Sequence, residues 1–370
     1  VVDKLGFSFV SDADTLRLVE SVAIFHFALT LLLLMVVLSM RVSLRLRERR
    51  RQRFSAVWQP ILADAVDVAT SDLPRLAQRD LPDFLLLWNH LHESLLDESK
   101  DRLNQIARAL RVGQVALGML RSWNLRDRLV AIVTLGELRE RAAWDELWRM
   151  TQHEGALVSL AAARSLVLID AAKAVPQIIP FLLTRADWPP ARVAEMLQTA
   201  GADVISDQLA DAAVKAAQEI GSNVDAAGNS EPNYAARLVR YLELAHNTSA
   251  LPAARTIAQS SHDPQVLAAC LRLLKSAEDL TITRQCLAHE DWRVRVQAAT
   301  ALGRIGEDDD ENRLASLLSD RQWWVRYRAA QALVNLPSMR ESKLAIIQAA
   351  QTNPFARDIL AHVMAEVQFQ

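Results

Sequence analysis

Asp291-Trp-Arg-Val-Arg295-Val-Gln-Ala-Ala-Thr-Ala-Leu302-Gly303 sets the reading of this chain, because Gln322-Trp-Trp-Val-Arg326-Tyr-Arg-Ala-Ala-Gln-Ala-Leu333 repeats it shortly afterwards. Anchored on an Arg, or a residue standing in for it, and on an apolar residue seven positions on, the pattern recurs along the chain. The pairs are Arg128/Leu135, Ser159/Leu166, Pro190/Leu197, Arg237/Leu244, Leu267/Leu274, Arg295/Leu302, Arg326/Leu333 and Arg357/Met364. Successive anchors lie about 30 residues apart, except for one longer step between Pro190 and Arg237. A near-constant period of this size marks stacked supersecondary units, none of which can bury its apolar face alone.

Each unit carries its own helix signals. Four residues before the anchor stand Asn124, Asn233, Asp263, Asp291 or Asn353, side chains suited to accept the free N–H groups of a helix start. An Ala-rich apolar stripe follows, as at Ala298, Ala299, Ala301 and Leu302, whose small residues permit close helix packing. Shorter amphipathic helices are expected between, at 143–151, 172–185, 202–219, 250–260, 280–288, 311–319 and 339–350. Pro176 and Pro180 predict a kink or a late start for the second. Two helices per unit without a strand signal give an α-solenoid of about eight units over 120–370.

This pattern resembles HEAT repeats, in particular the short variety also seen in bilin-lyase-like proteins. Asp291–Gly303 and its echo at 320–333 carry the resemblance, with weaker copies at Asp127–Gly136 and Gly155–Leu166. It implies that the anchor arginines Arg295 and Arg326 pair with an Asp or a carbonyl of an adjacent repeat. It also implies a scaffold or binding surface in place of a particular chemistry. The long step holds an insertion near 221–232, Gly-Ser-Asn-Val-Asp-Ala-Ala-Gly-Asn-Ser-Glu-Pro, whose composition predicts a surface loop.

Upstream, Ser21–Met40 runs twenty residues without a charge. At about 1.5 Å per residue this spans roughly 30 Å, the thickness of a bilayer's hydrocarbon core. Arg41, Arg45, Arg47, Arg49, Arg50, Arg51 and Arg53 follow it, against only Lys4 and Arg17 before it. The excess of positive charge on one flank predicts an N-terminus outside and the remainder in the cytoplasm. A cleaved signal peptide fits poorly, since the preceding stretch is acidic and the apolar run too long. The expected order is a short extracytoplasmic segment (1–20), a transmembrane helix (21–40), an Arg-rich juxtamembrane segment (41–53) and a helical cap (54–119). Helices are expected in that cap at 54–69, 81–96 and 103–120. Only six of 42 basic residues are Lys, a bias associated with GC-rich bacterial genes, and the expected membrane is a bacterial inner membrane.

Composition narrows the functions. Ten Gly, twelve Pro and three Tyr among 370 residues are too few for a turn-rich β fold. Residues 54–370 carry 33 basic against 39 acidic groups, which opposes electrostatic nucleic-acid binding. Cys270 and Cys286 are the only cysteines, expected to pack reduced as small apolar groups. His92-Glu93, His153-Glu154 and His289-Glu290 could open a zinc-protease motif, but Leu96, Leu157 and Arg293 stand where a second ligand would be needed. Glu307-Asp-Asp-Asp-Glu311 lacks the alternation and the Gly of a calcium loop and reads as a solvated helix start. No catalytic, cofactor or metal residue is expected.

What remains is a membrane-tethered scaffold whose solenoid binds a protein partner, such as a membrane synthase or a signalling complex. Trp292 and Trp323 are expected to fill the space between stacked turns. Trp324, equivalent to Arg293, is expected to face outward as a partner anchor. Arg293 and Arg328, freer than the anchor arginines, would favour an acidic or phosphorylated ligand if they line the concave surface. The alternatives are a bilin-lyase-like ligand-handling or enzymatic protein, and a nucleic-acid-binding solenoid.

Overall fold

The structure, a computed structural model, describes residues 12–67, 73–74, 76–77, 80–95, 97–222, 234–337 and 339–368. Among them every regular element is helical. They divide into two compact units, residues 1–115 and 116–370.

In the first unit α1 (Asp12–Asp67) is one continuous helix of 56 residues, about 84 Å at the α-helical rise. The apolar segment, the Arg-rich segment and the first expected cap helix are therefore a single element. From Glu20 to Leu46 every residue of α1 is exposed, including Phe25, Phe27 and the aliphatic run Leu31–Leu34. Three polar groups within that stretch turn back on their own helix. Thr30 Oγ1 donates to His26 O at 2.7 Å, Ser39 Oγ donates to Val36 O at 2.8 Å, and His26 Nδ1 lies 2.9 Å from Val22 O. Further along, α1 buries Trp58 and Leu62. The Trp58 ring meets Phe84 of α2 (Leu81–Ser94) edge-on at 5.1 Å. Trp88 of α2 donates its indole N–H to Leu103 O at 3.1 Å on α3 (Asp97–Ala109). The helix expected at 103–120 is broken: Arg111 adopts φ 55°, ending α3 before α4 (Val112–Met119) begins.

The second unit contains α5 (Leu125–Glu137), α6 (Trp144–His153), α7 (Ala156–Ile169), α8 (Ala171–Thr184), α9 (Pro190–Ala200), α10 (Ala202–Ser222) and α11 (Tyr234–Tyr241). It continues with α12 (Asn247–Ser260), α13 (Pro264–Leu273), α14 (Leu280–Cys286), α15 (Trp292–Ile305), α16 (Glu311–Leu317), α17 (Trp323–Asn335), α18 (Glu341–Ala350) and α19 (Pro354–Gln368). Helices alternate between two rows. In the row that carries the anchors, α5 packs on α7 and α7 on α9, then α11 on α13, α13 on α15, α15 on α17 and α17 on α19. The second row stacks α8 on α10 and α10 on α12. This is an α-solenoid. Its buried side chains, from Ala116 to Val363, form one continuous core.

The stacking follows from the sequence signals. Asn124, Asp263, Asp291 and Asn353 each accept a backbone N–H at a helix start, at 2.7–3.0 Å. Asn233 and most of the 221–232 insertion lie outside the described residues; α10 extends through Gly221 and Ser222. Gly136 and Gly303, at the same place in their repeats, mark where anchor helices approach most closely. A Cβ on Gly303 would stand 2.9 Å from Ala332 Cα, and one on Gly136 would stand 2.8 Å from Ser165 Cα. α8 contains Pro176 and Pro180 yet begins at Ala171 and runs unbroken to Thr184, so the late start does not occur. Asp170 fixes that start by accepting the Lys173 N–H at 3.1 Å. At the long step the stacking changes, and α11 packs against α8 and α10.

Candidate functional site

The arginines divide into those that hold the repeats together and those that face outward. Arg295 is a structural rung. Its Nε and one terminal nitrogen donate to both Asp320 oxygens at 2.8 and 2.9 Å, and the other nitrogen donates to His289 O and Glu290 O at 2.8 Å. Arg128 makes the matching carboxylate contact with Glu154 at 3.2 and 3.4 Å. Arg237 uses carbonyls, those of Leu182 and of Arg185, the latter at 3.2 Å. The unit anchored on Ser159 has no Arg of its own there. Arg185, from the following turn, donates to Glu154 O at 3.1 Å and Ser159 Oγ at 2.7 Å, and Trp188 Nε1 donates to the same hydroxyl at 2.9 Å. The carbonyl of Glu154 is the counterpart of Glu290 O, so a guanidinium from a different position fills the same place.

A second ladder links the other row. Arg255 donates to Asp279 at 2.6 Å, and Arg284 donates to both oxygens of Asp310 at 2.7 and 2.9 Å. Asp279 and Asp310 are fully buried and stand one repeat apart. Asp310 lies within the acidic run expected to be solvated; α16 does start there, but the last Asp of the run points inward. Burial alone would raise both carboxyls. Their arginines, and the backbone N–H groups of Ser276 and Glu307, outweigh it and hold both below the ordinary value.

Among the described residues no three His, Cys, Asp or Glu side chains converge to hold a metal ion. Cys270 and Cys286 are free and buried. Burial, with Cys286 nearby, pushes the Cys270 thiol up to about 12, so it carries no thiolate at neutral pH.

The outward-facing groups gather on α17. Trp324 is 52% exposed, and Trp323 is 44% exposed where a buried plug was expected. Trp292, its equivalent, is half-buried. The Trp323 ring stacks on Tyr327 at 5.0 Å with 9° between planes, and Trp324 meets Trp323 edge-on at 4.7 Å. Arg328 extends this cluster, its guanidinium 5.9 Å from the Tyr327 ring, but it is half-buried and donates to Gln331 at 2.8 Å. Arg293 sits one helix away on α15, exposed, 3.4 Å from Asp291 and over the Trp292 ring at 6.0 Å. Of the three residues expected to meet a partner, Trp324 and Arg328 thus share Tyr327, while Arg293 belongs to the neighbouring rung. In the first unit Arg41, Arg45, Arg49, Arg50 and Arg53 are exposed, and Arg50 pairs with Asp80. The side chains of Arg47 and Arg51 lie outside the described set.

One feature gave no sequence signal. α5, α7 and α9 enclose a groove of about 450 Å³, floored by Val133, Leu157, Leu160 and Leu168 and rimmed by Arg164, Arg192 and Glu195. Leu157 is 62% exposed there. An apolar residue on a helix rich in apolar residues reads as core until its neighbours are known.

The family model described as HEAT repeats matches residues 280–365, the span that holds α14 to α18 and most of α19. The crystal structure of an engineered protein from the Northeast Structural Genomics Consortium aligns over 83% of this chain and 98% of its own, at 16% identity and a TM-score of 0.28. A likeness of that strength carries no argument. No curated protein matches the chain.

Proposed function

We propose that this chain is a non-enzymatic, membrane-anchored scaffold whose α-solenoid binds a protein partner through α17 and its neighbours. The observation that carries the reading is the Trp323–Trp324–Tyr327 cluster, whose two indoles are exposed beside a half-buried Tyr327 on a helix locked into the core by Val325, Ala329, Ala330 and Leu333. Exposed aromatics on a rigid support are the groups that dominate protein–protein affinity, and they lose little entropy on binding. The exposed apolar stretch of α1 supports an anchor: it is long enough to cross a bilayer, with a mean hydropathy of 2.6. The arginines after it favour an outside N-terminus and a cytoplasmic solenoid at a bacterial inner membrane. Confinement to the membrane would raise the effective concentration of a membrane-associated client such as a synthase or a signalling complex.

Full-length protein, tagged and extracted from native membranes in mild detergent, is expected to retain a reproducible protein partner, and Trp324→Ala is expected to lose it. Equal recovery from both would move binding away from α17.

The α5–α7–α9 groove supports a second reading, ligand handling in the manner of bilin-lyase-like proteins. Its volume lies within the usual range for small-molecule sites. A chromophore or lipid copurifying with wild type, and lost on Leu160→Trp, would favour it.

A further inference from the structure

Arg295 and Arg326 occupy the same position in adjacent repeats, yet only one rung of the ladder is complete. Both donate one terminal nitrogen to the carbonyls of the preceding turn: Arg295 to His289 and Glu290, Arg326 to Asp320 and Arg321 at 2.9 and 3.3 Å. The other edge of Arg295 grips the Asp320 carboxylate. The counterpart of Asp320 in the next repeat is Gln351, which donates its amide to Ile347 O at 3.4 Å. Among the described residues no carboxylate reaches Arg326 within ion-pair distance, and its Nε is buried without a hydrogen-bond partner. Arg326 also lines a pocket of about 280 Å³, together with Trp323, Phe355, Asp358, Ile359 and His362. The guanidinium lies 5.6 Å from the Phe355 ring. A guanidinium that no carboxylate of the described residues neutralises, flanked by aromatic and aliphatic walls, has the chemistry to take an acidic side chain next to an apolar one.

We infer that this pocket is a peptide-binding site, in which a carboxylate of the partner supplies Arg326 with the counter-charge that Asp320 supplies to Arg295. The inference rests on the scaffold reading and names the chemistry of its partner. Arg326 supplies its charge and a terminal N–H donor, and Trp323, Phe355 and Ile359 receive the adjacent apolar side chain. Asp358, exposed on the pocket wall, is the opposing charge, and it selects against peptides with several acidic residues in a row. His362 lies 3.2 Å from Glu366.

The test uses full-length protein in detergent and an array of nonapeptides. Each peptide carries one Glu or Asp flanked by Leu, Phe or Trp, and a matched set carries Gln or Asn in its place. Acidic peptides are expected to bind about tenfold or more tightly than their amides, the range of a charge-assisted pair. That difference should vanish in Arg326→Gln. Gln351→Asp supplies the missing carboxylate from the chain itself, so it is expected to abolish acidic-peptide binding while leaving the melting temperature equal or higher. Loss of binding in that variant therefore cannot come from unfolding. Asp358→Asn is expected to tighten binding. Equal affinity for acid and amide peptides, or undiminished binding in Gln351→Asp, overturns the inference. The native-membrane capture separates the two readings: a partner retained equally by wild type and Gln351→Asp overturns the pocket alone, whereas no partner for either overturns the scaffold.

Discussion

Arg284 grips both oxygens of the Asp310 carboxylate at 2.7 and 2.9 Å, and Asp310 is wholly shielded from solvent. The pair joins α14 of one repeat to the turn that starts α16 in the next, as Arg255 and Asp279 do one repeat earlier. Removing one partner of such a pair weakens the compensation of the other, at a cost of up to about 3 kcal/mol, with Arg284 keeping Glu307 at 3.0 Å and Asp310 keeping Arg313 at 3.1 Å. The double variant of Arg284→Ala and Asp310→Ala should fall well short of the sum. Denaturant unfolding of the four proteins measures this, and additive losses would show that the two groups are not coupled.

Acid should act on the same joints. Both Asp279 and Asp310 ionise below the ordinary carboxylate value in the folded chain. Their contribution is therefore complete above the unfolded value, about pH 4, and is lost as pH falls through the lower folded values. The melting temperature of the solenoid is expected to hold level from pH 7 to about pH 5 and to drop below pH 4. An Asp279→Asn, Asp310→Asn variant should start lower and show a shallower acid slope. An unchanged slope would assign acid unfolding to other groups.

Two glycines give opposite expectations. Gly303 has no room for a methyl group, since its Cβ would press on the Ala332 backbone of the next anchor helix at 2.9 Å. Gly303→Ala must push α15 and α17 apart, and overpacking of this kind costs about 1–3 kcal/mol. At Gly118, near the end of α4, a Cβ meets nothing within 4 Å. Gly118→Ala should stabilise by about 0.5 kcal/mol through helix propensity alone. Thermal melts of the two variants, shifted in opposite directions, check both.

Trp188 and Trp324 separate packing from recognition. Trp188 is 1% exposed, stacks on Phe181 and donates to Ser159, whereas Trp324 is 52% exposed. Trp188→Ala is expected to cost about 3–5 kcal/mol. Trp324→Ala should leave the melting temperature within a degree or two and act on partner capture alone. A large loss of stability in Trp324→Ala would make the cluster a packing element.

The repeat was legible because its signals are local. A cap residue, the small-residue stripe and the recurring period can each be read without knowing any neighbour, and α14 to α19 fall close to where they predict. What escaped depends on which face the next unit covers. Trp323 shares its sequence position with Trp292, yet it lies open because the covering differs from unit to unit. Asp310 looked like one charge of five in an exposed run. Its place one repeat after Asp279, with Arg255 and Arg284 at similar distances upstream of the two, was the available sign of its burial. The α5–α7–α9 groove left no comparable sign, since Leu157 and Leu160 fit an apolar stripe equally well whether covered or open.

Anchoring is the last expectation, and it follows from how α1 disposes of its polar groups. Between Glu20 and Arg41 the helix bears no charge, and Thr30 and Ser39 bond to their own backbone, as a helix in hydrocarbon requires. The chain is thus expected to stay in the membrane fraction through alkaline carbonate extraction. Leu33→Arg, at the middle of the span, adds about 3 kcal/mol to insertion and should release a substantial fraction. With protease added outside spheroplasts, an N-terminal tag should be cleaved and a C-terminal tag protected. Replacing Arg41, Arg45, Arg47, Arg49, Arg50, Arg51 and Arg53 with Gln removes the charge bias that sets this orientation, and both tags should then become partly accessible. Full release of the wild type by carbonate would instead mean that the apolar face of α1 is covered by protein, and a second copy or the partner itself would have to supply that cover.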